Sequence, residues 1–336
     1  MPNVKVLSWE GYSPVDNIIF VAHASYEMER SLHVAKTLVA ANQPYSAIFI
    51  ATERTLRRDE NYAKSLRELI LLADKSSTIP SMPVICERVD LINLLIKLKV
   101  KLESLVEGSH QNFVVDISVF PKDRLWVTLD LIANMFPNSS ISLGYTEPVS
   151  YNTEESPTGW LSKGVAEVVP ILGFNGRQDP NKPSLLIVNT GHENERMTIA
   201  INNREPRKLI LISQGSSQHN ENSSTAATRI LNKLLEDFGS IVDRDYFFDI
   251  DSRDYEGVHK AVSIIFDEFS DEYNISVASF GTKLQSIGAL IACRNNRRIE
   301  AIYAQPQIYH QEAYSAGVGP SWRIDLPFGK GNASIN

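Results

Sequence analysis

Residues 18–30 read IIFVAHASYEMER, and residues 184–196 read SLLIVNTGHENER. In each, a short apolar run (18–21 or 185–188) leads into Glu-x-Glu-Arg and then a helical pattern. The offset is 166, from Arg30 to Arg196. A repeat of this kind is sought before anything else, because each copy is one structural unit. Outward from it, second strands are expected at 47–51 and 209–213, and amphipathic helices at 61–73 and 225–238. Third strands follow at 84–86 and 246–248, with helices at 91–105 and 257–269. The fourth strands lead into FVVDISVFPK (113–122) and NISVASFGTK (274–283), which pair Ser118 with Ser279 and Lys122 with Lys283. Helices are expected next, at 124–135 and 285–293. The fifth strands open ISLGYTEPVSY (141–151) and IEAIYAQPQIY (299–309), which share Ile-x-x-x-Tyr-x-x-Pro-x-x-Tyr.

Strands alternating with helical patterns make β-α-β units, whose crossovers set the strands parallel with helices on both faces. The expected fold is therefore α/β: two tandem Rossmann-like parallel-sheet units related by internal duplication. The first spans 1–151 and the second 185–336. Residues 152–184, rich in Pro and Gly, form a mostly irregular connector that still packs apolar side chains. A chain of 336 residues, 43% hydrophobic and 22% charged, can give each unit its own core.

Composition narrows the function. A net charge of −7 argues against an extended nucleic-acid face, which needs clustered Lys and Arg. Cys86 and Cys293 read as buried thiols of a reducing compartment, and no Cys/His spacing suggests a metal site. The first residues lack a signal-peptide pattern, and no run of about 18 apolar residues occurs. The expectation is a cytoplasmic protein with no membrane contact.

Ligands of open parallel sheets bind beyond the carboxyl ends of the strands. The Glu-x-Glu-Arg turns, the turns after strand four and the Tyr-x-x-Pro-x-x-Tyr segments all fall there. Ser118 and Lys122, and Ser279, Gly281, Thr282 and Lys283, form a small-residue turn with a lysine at a helix start. Free backbone N–H groups and the helix dipole favour an anion at such a place. The same residues also serve as simple helix caps. Arg30 and Arg196 can bind phosphate or pair with nearby Glu. His23, Glu27, His192 and Glu193 are the candidates for acid–base work, although no spacing makes them a dyad. Tyr145, Tyr151, Tyr303 and Tyr309 can stack on a base or pack. The polar stretch 214–224, QGSSQHNENSS, reads as a loop or lid, and 314–322 as a Gly-rich turn. No P-loop, nucleophile elbow or dinucleotide fingerprint is present, so no cofactor is expected.

Asp116-Ile117-Ser118-Val119-Phe120-Pro121-Lys122 resembles the Asp/Asn-x-Ser/Thr-x-x-x-Lys/Arg signature of the CRISPR-associated Rossmann-fold (CARF) domains. Ser279-Phe280-Gly281-Thr282-Lys283 is similar to the Gly-Thr-Lys form of that turn, with Val277 where an acidic or amide residue is expected. A fused pair of such units also resembles the SAVED sensors of bacterial antiviral systems. The resemblance implies binding of a nucleotide or oligonucleotide signal, with Arg30, Asp116, Ser118, Lys122, Arg196, Ser279, Gly281, Thr282 and Lys283 as ligand-binding residues. It implies a separate effector chain or a homodimer as partner. Two other readings stand beside it. One is a hydrolase-type enzyme acting on a nucleotide or phosphorylated metabolite. The other is a non-catalytic assembly subunit.

Overall fold

A computed structural model describes residues 5–6, 18–76, 81–105, 111–151, 161–214, 221–310 and 314–327. In chain order the elements begin β1 (Lys5–Val6), β2 (Ile18–His23), α1 (Met28–Ala40), β3 (Tyr45–Thr52), α2 (Glu53–Arg58) and α3 (Glu60–Ser76). They continue β4 (Met82–Cys86), α4 (Leu91–Leu105), β5 (Asn112–Asp116), α5 (Lys122–Met135), β6 (Ser140–Thr146), β7 (Ser150–Tyr151) and β8 (Ser162–Asn175). Next come β9 (Ser184–Asn189), α6 (Asn194–Arg204), β10 (Lys208–Ser213), α7 (Glu221–Phe238), β11 (Phe248–Asp249) and α8 (Tyr255–Phe269). The last are β12 (Asn274–Ser279), α9 (Lys283–Asn295), β13 (Glu300–Tyr309), β14 (Ser315–Ala316) and β15 (Ser321–Asp325).

The chain forms two compact units. Of the described residues, the first contains those from 5 to 149 and from 315 to 327, and the second those from 150 to 314. The first sheet has the order β1-β15-β6-β5-β2-β3-β4 and the second β11-β10-β9-β12-β13-β8. Strands β2 to β6 pair in parallel, as do β9 to β13, and the crossover helices cover them. Each sheet therefore runs third-second-first-fourth-fifth and then adds an antiparallel strand beside the fifth. The duplicated α/β reading holds.

The strands are continuous apolar runs because both faces are covered. Phe20, Phe49, Phe113, Val114 and Val115 are fully buried, and so are Ile187, Val188, Ile210 and Leu211. Helix α1 turns Leu32, Val34, Ala35 and Leu38 onto the first sheet at helical spacing. Cys86 and Cys293 are free and buried. Among the described residues no helix is long and apolar enough to cross a membrane.

Three expectations are corrected. The described part of the connector, 161–184, is not mostly irregular: within it lies the 14-residue β8, which pairs with β13 from Tyr309↔Ser162 to Glu300↔Asn175. Its Pro and Gly residues are tolerated because β8 is an edge strand with bulges, where a missing donor or a positive φ does little harm. The second unit does not run to the C-terminus either. Residues 321–325, the end of the Gly-rich stretch and just beyond it, form β15, which belongs to the first sheet and pairs with β6. The third strand of the second sheet is Phe248–Asp249 rather than 246–248. Of the polar stretch 214–224, residues 215–220 lie outside the described residues, and α7 already begins at Glu221.

Helix α9 lies against α8 at unusually close range. A Cβ built on Gly288 would fall 2.1 Å from the Tyr255 carbonyl oxygen. Gly288→Ala is expected to destabilise the protein by ~1–3 kcal/mol, the usual cost of overpacking a fixed contact. A urea titration would check this, through a lower midpoint at an unchanged slope.

Candidate functional site

The shared strand order places a switch point in each sheet, between β2 and β5 and between β9 and β12. There the chain leaves neighbouring strands in opposite directions, which is where open parallel sheets generally take their ligands, beyond the carboxyl ends of the strands. The turns after these four strands hold nearly all the candidate residues.

In the first unit that end is filled by the protein itself. Asp116 ends β5, is almost fully buried, and accepts hydrogen bonds from the Ser118 amide (2.9 Å) and Ser118 Oγ (2.6 Å) on Oδ1. Asp116 Oδ2 has no hydrogen-bond partner. Burial pushes this carboxyl up to about 7, against the pull of the Ser118 bonds and Arg30. Ser118 Oγ accepts from the Thr146 amide at 2.9 Å, tying the turn to the end of β6. Arg30 donates to Ser118 O (2.9 Å) and Thr146 O (3.1 Å), and pairs with Glu27. Ser315 Oγ also donates to Glu27.

His23 ends β2 and is buried. Its Nδ1 lies 2.6 Å from Ala24 O, and its Nε2 lies 3.4 Å from Arg124 Nη1. Arginine only donates, so Nε2 is the acceptor and Nδ1 carries the proton. Arg124 was not foreseen. It is wholly buried, donates to the Glu87 and Arg88 carbonyls, and is lowered from the ordinary arginine value by burial and by Arg88. Arg88 makes a two-bond ion pair with Asp123, at 2.6 and 2.7 Å. Lys122 is the first residue of α5.

The second unit repeats part of this plan. Arg196 donates twice to Ala304 O, at 2.9 and 2.7 Å, where Arg30 reaches Thr146 O. It pairs with Glu193, as Arg30 does with Glu27, and Ser162 Oγ donates to Glu193 as Ser315 does to Glu27. The Glu-x-Glu-Arg motif is thus an internal clamp from the first helix to the end of the fifth strand. Arg196 also lies 5.5 Å from the Phe280 ring centre and 5.2 Å from that of Tyr303. Burial works against its charge, but Glu193 more than offsets this and holds the guanidinium above its ordinary value.

The turn after β12 differs from its counterpart. Ile18 pairs with Asn112 and Ser184 with Asn274, so Asp116 corresponds by sheet register to Ala278. The match of Ser118 to Ser279, with Val277 as the departure from the motif, is therefore corrected by one residue. The lysines still correspond, since each opens its helix. The cause is a turn one residue shorter: six steps from Asp116 to Lys122, five from Ala278 to Lys283. The shorter turn needs Gly281, where a Cβ would fall 2.5 Å from Asn189 Oδ1 and 2.2 Å from Gln285 Oε1. Thr282 and Gln285 form a capping box over the first turn of α9. Gln285 Nε2 donates to Ile250 O, as Arg124 does to Glu87 O in the first unit.

Asn189, at the position matching His23, was also missed. It is fully buried, and neither side-chain Nδ2 nor Oδ1 has a hydrogen-bond partner. A polar residue closing the apolar run LLIVN was the available signal. Beside this turn stands a group of rings. Tyr151 lies 5.9 Å from His192 and 6.4 Å from Tyr314, and Tyr309 lies 6.1 Å from Tyr314. Tyr303 and Tyr309 share a 3.0 Å hydroxyl contact, whereas Tyr145 is buried in the first unit. Among the described residues no three His, Cys, Asp or Glu side chains gather as a metal-holding group. In chemical terms the second switch point offers a capped helix start with a lysine and a buried amide, with the rings of Phe280 and Tyr303 near its turn. These suit a planar anion better than a proton transfer.

Comparison with known proteins follows the same division. A family model described as HFX_2341_N:-like, N-terminal, matches residues 185–309, which lie in the second unit. No curated protein matches the chain. A solved structure of a Type III CRISPR defence DNA nuclease activated by cyclic oligoadenylate is similar over 90% of this chain and 68% of its own, with a TM-score of 0.51 and 10% identity. Escherichia coli ADP-heptose lps heptosyltransferase II, 10% identical over 82% of each chain, aligns with a TM-score of only 0.19 and carries no argument. At 10% identity the nuclease likeness is one of fold.

Proposed function

We propose that this protein senses a nucleotide-type signal, a nucleotide or oligonucleotide bound at the carboxyl end of the second sheet, and that it acts through a partner chain in antiviral defence. The observation that carries the reading is the switch point itself. The strand order sets this switch point between the β9 and β12 turns, where Gly281 and Thr282 lead into Lys283 at the start of α9 beside Asn189. A helix start with a lysine favours phosphate, and nearby rings favour a base. The fold likeness to a nuclease activated by cyclic oligoadenylate agrees with this reading. The turnover reading has less support, because Glu27 and Glu193 are each held in an ion pair with the arginine three residues on.

Calorimetry against cyclic oligonucleotides, mononucleotides and NAD metabolites tests the proposal. One of these ligands is expected to bind, and Lys283→Ala to weaken it at least ~10-fold, the scale of one lost charge-assisted contact. Lys122→Ala is expected to have the smaller effect, since the first unit's crevice is filled by its own side chains. Absence of binding across the panel overturns the proposal, as does binding that both variants leave unchanged.

A further inference from the structure

The outer face of α4 carries an aliphatic stripe that the fold does not need. Val89, just before the helix, and Ile92, Ile96 and Val100 on it are 62, 63, 58 and 57% exposed. Their spacing of 3, 4 and 4 residues places them on one side of the helix, opposite the buried Leu94, Leu98 and Leu102. Scattered exposed apolar residues need no explanation, but a contiguous stripe does.

The duplicate supplies an internal control. Helices α4 and α8 are both 15 residues long and start 164 apart, at Leu91 and Tyr255. At that offset the buried Leu94, Leu98 and Leu102 match the buried Val258, Val262 and Phe266, so the two helices share one register. The stripe then matches Arg253, Glu256, Lys260 and Ile264. The second unit thus holds its helix with charged residues at three of the four places. A full four-residue aliphatic stripe is a property of the first unit alone, since the second keeps only Ile264, and core packing does not account for it.

We propose that this face pairs with the same face of a second copy of the chain, two α4 helices lying antiparallel about Ile96. The stripe is self-complementary under such a two-fold, which sets Ile92 opposite Val100 of the other copy. Lys99 and Glu103, 3.8 Å apart on the same helix, offset one another beside the stripe, and Lys97 at its flank is turned to the Ile85 carbonyl, which limits the repulsion between two copies. The four aliphatics expose on the order of 450 Å² per copy. Full burial of the stripe on both copies therefore covers on the order of 900 Å² in total, the scale of a weak, concentration-dependent association rather than a permanent one. The pairing does not depend on the ligand reading above.

Sedimentation velocity of the full chain from ~1 to 100 µM tests it. Wild type is expected to sediment as a dimer at the upper end of the range. Ile96→Glu is expected to raise the dissociation midpoint at least ~10-fold, with the unfolding temperature unchanged at ~1 µM, where both chains are monomers and the position faces solvent. Val100→Arg is a second variant in case the first misfolds, and Ile264→Glu, at the matched place in the second unit, is expected to leave the dimer intact. A wild-type chain that is monomeric throughout overturns the proposal, as does a dimer that survives both stripe variants or one lost in Ile264→Glu.

Discussion

Replacing Arg196 with methionine is expected to destabilise the second unit by ~3–5 kcal/mol, the cost of removing one partner from a buried charge network. Methionine keeps most of the stem volume but none of the donors. Ala304 O loses two bonds, and Glu193, itself 10% exposed, loses the guanidinium it pairs with. The stacking of the guanidinium between Phe280 and Tyr303 goes as well. A urea titration followed by circular dichroism measures the loss. Arg57→Met is the control, because the Arg57–Glu53 pair is exposed and such pairs are worth ~0–1 kcal/mol. Equal small losses in both variants would rule out the clamp.

Asp116→Asn is expected to stabilise the first unit above neutral pH. The folded-state pKa of Asp116 is about 7, above the ordinary value of 3.8. A raised pKa means that the folded state holds the proton more tightly than the unfolded state. This carboxyl therefore supports folding fully below pH ~4, and its contribution is lost as pH rises from there through about 7. At ~1.4 kcal/mol for each tenfold of proton affinity, the loss by pH 8 is on the order of 4 kcal/mol. The asparagine oxygen still accepts from the Ser118 amide and hydroxyl, and the side chain no longer titrates. The difference in unfolding temperature between variant and wild type should grow by several degrees between pH 5 and pH 8. A difference that stays constant across that range would mean that Asp116 is ionised throughout.

Most of the architecture was legible in the chain because duplication writes each signal twice. The apolar runs at 18–21 and 185–188, each followed by Glu-x-Glu-Arg, located the first strand and helix of each sheet. The fourth and fifth strands followed by the same matching. The parallel order needed no structure, since short helical crossovers force it. The antiparallel edges were not legible. Strand β8 reads as a Pro- and Gly-rich linker, and β15 as the tail of a glycine turn. What makes them strands is an unpaired edge on β13 and β6, and that edge exists only once the sheets have formed.

The candidate site divides along the same line. Sequence by itself determined that Ser118, Lys122, Ser279, Gly281, Thr282 and Lys283 gather at the carboxyl ends of two sheets, because residue order alone places a turn after its strand. Tertiary structure decided what those ends contain. It turned Arg30 and Arg196 inward onto the carbonyls of the fifth strands, buried Asp116 under Ser118, and moved the match with the second turn from Val277 to Ala278. The reason is distance along the chain. Arg30 and Thr146 are 116 residues apart, and Arg196 and Ala304 are 108 apart. No local pattern records a hydrogen bond of that span, nor shows that Asn189 is left without a partner where its counterpart His23 meets Arg124.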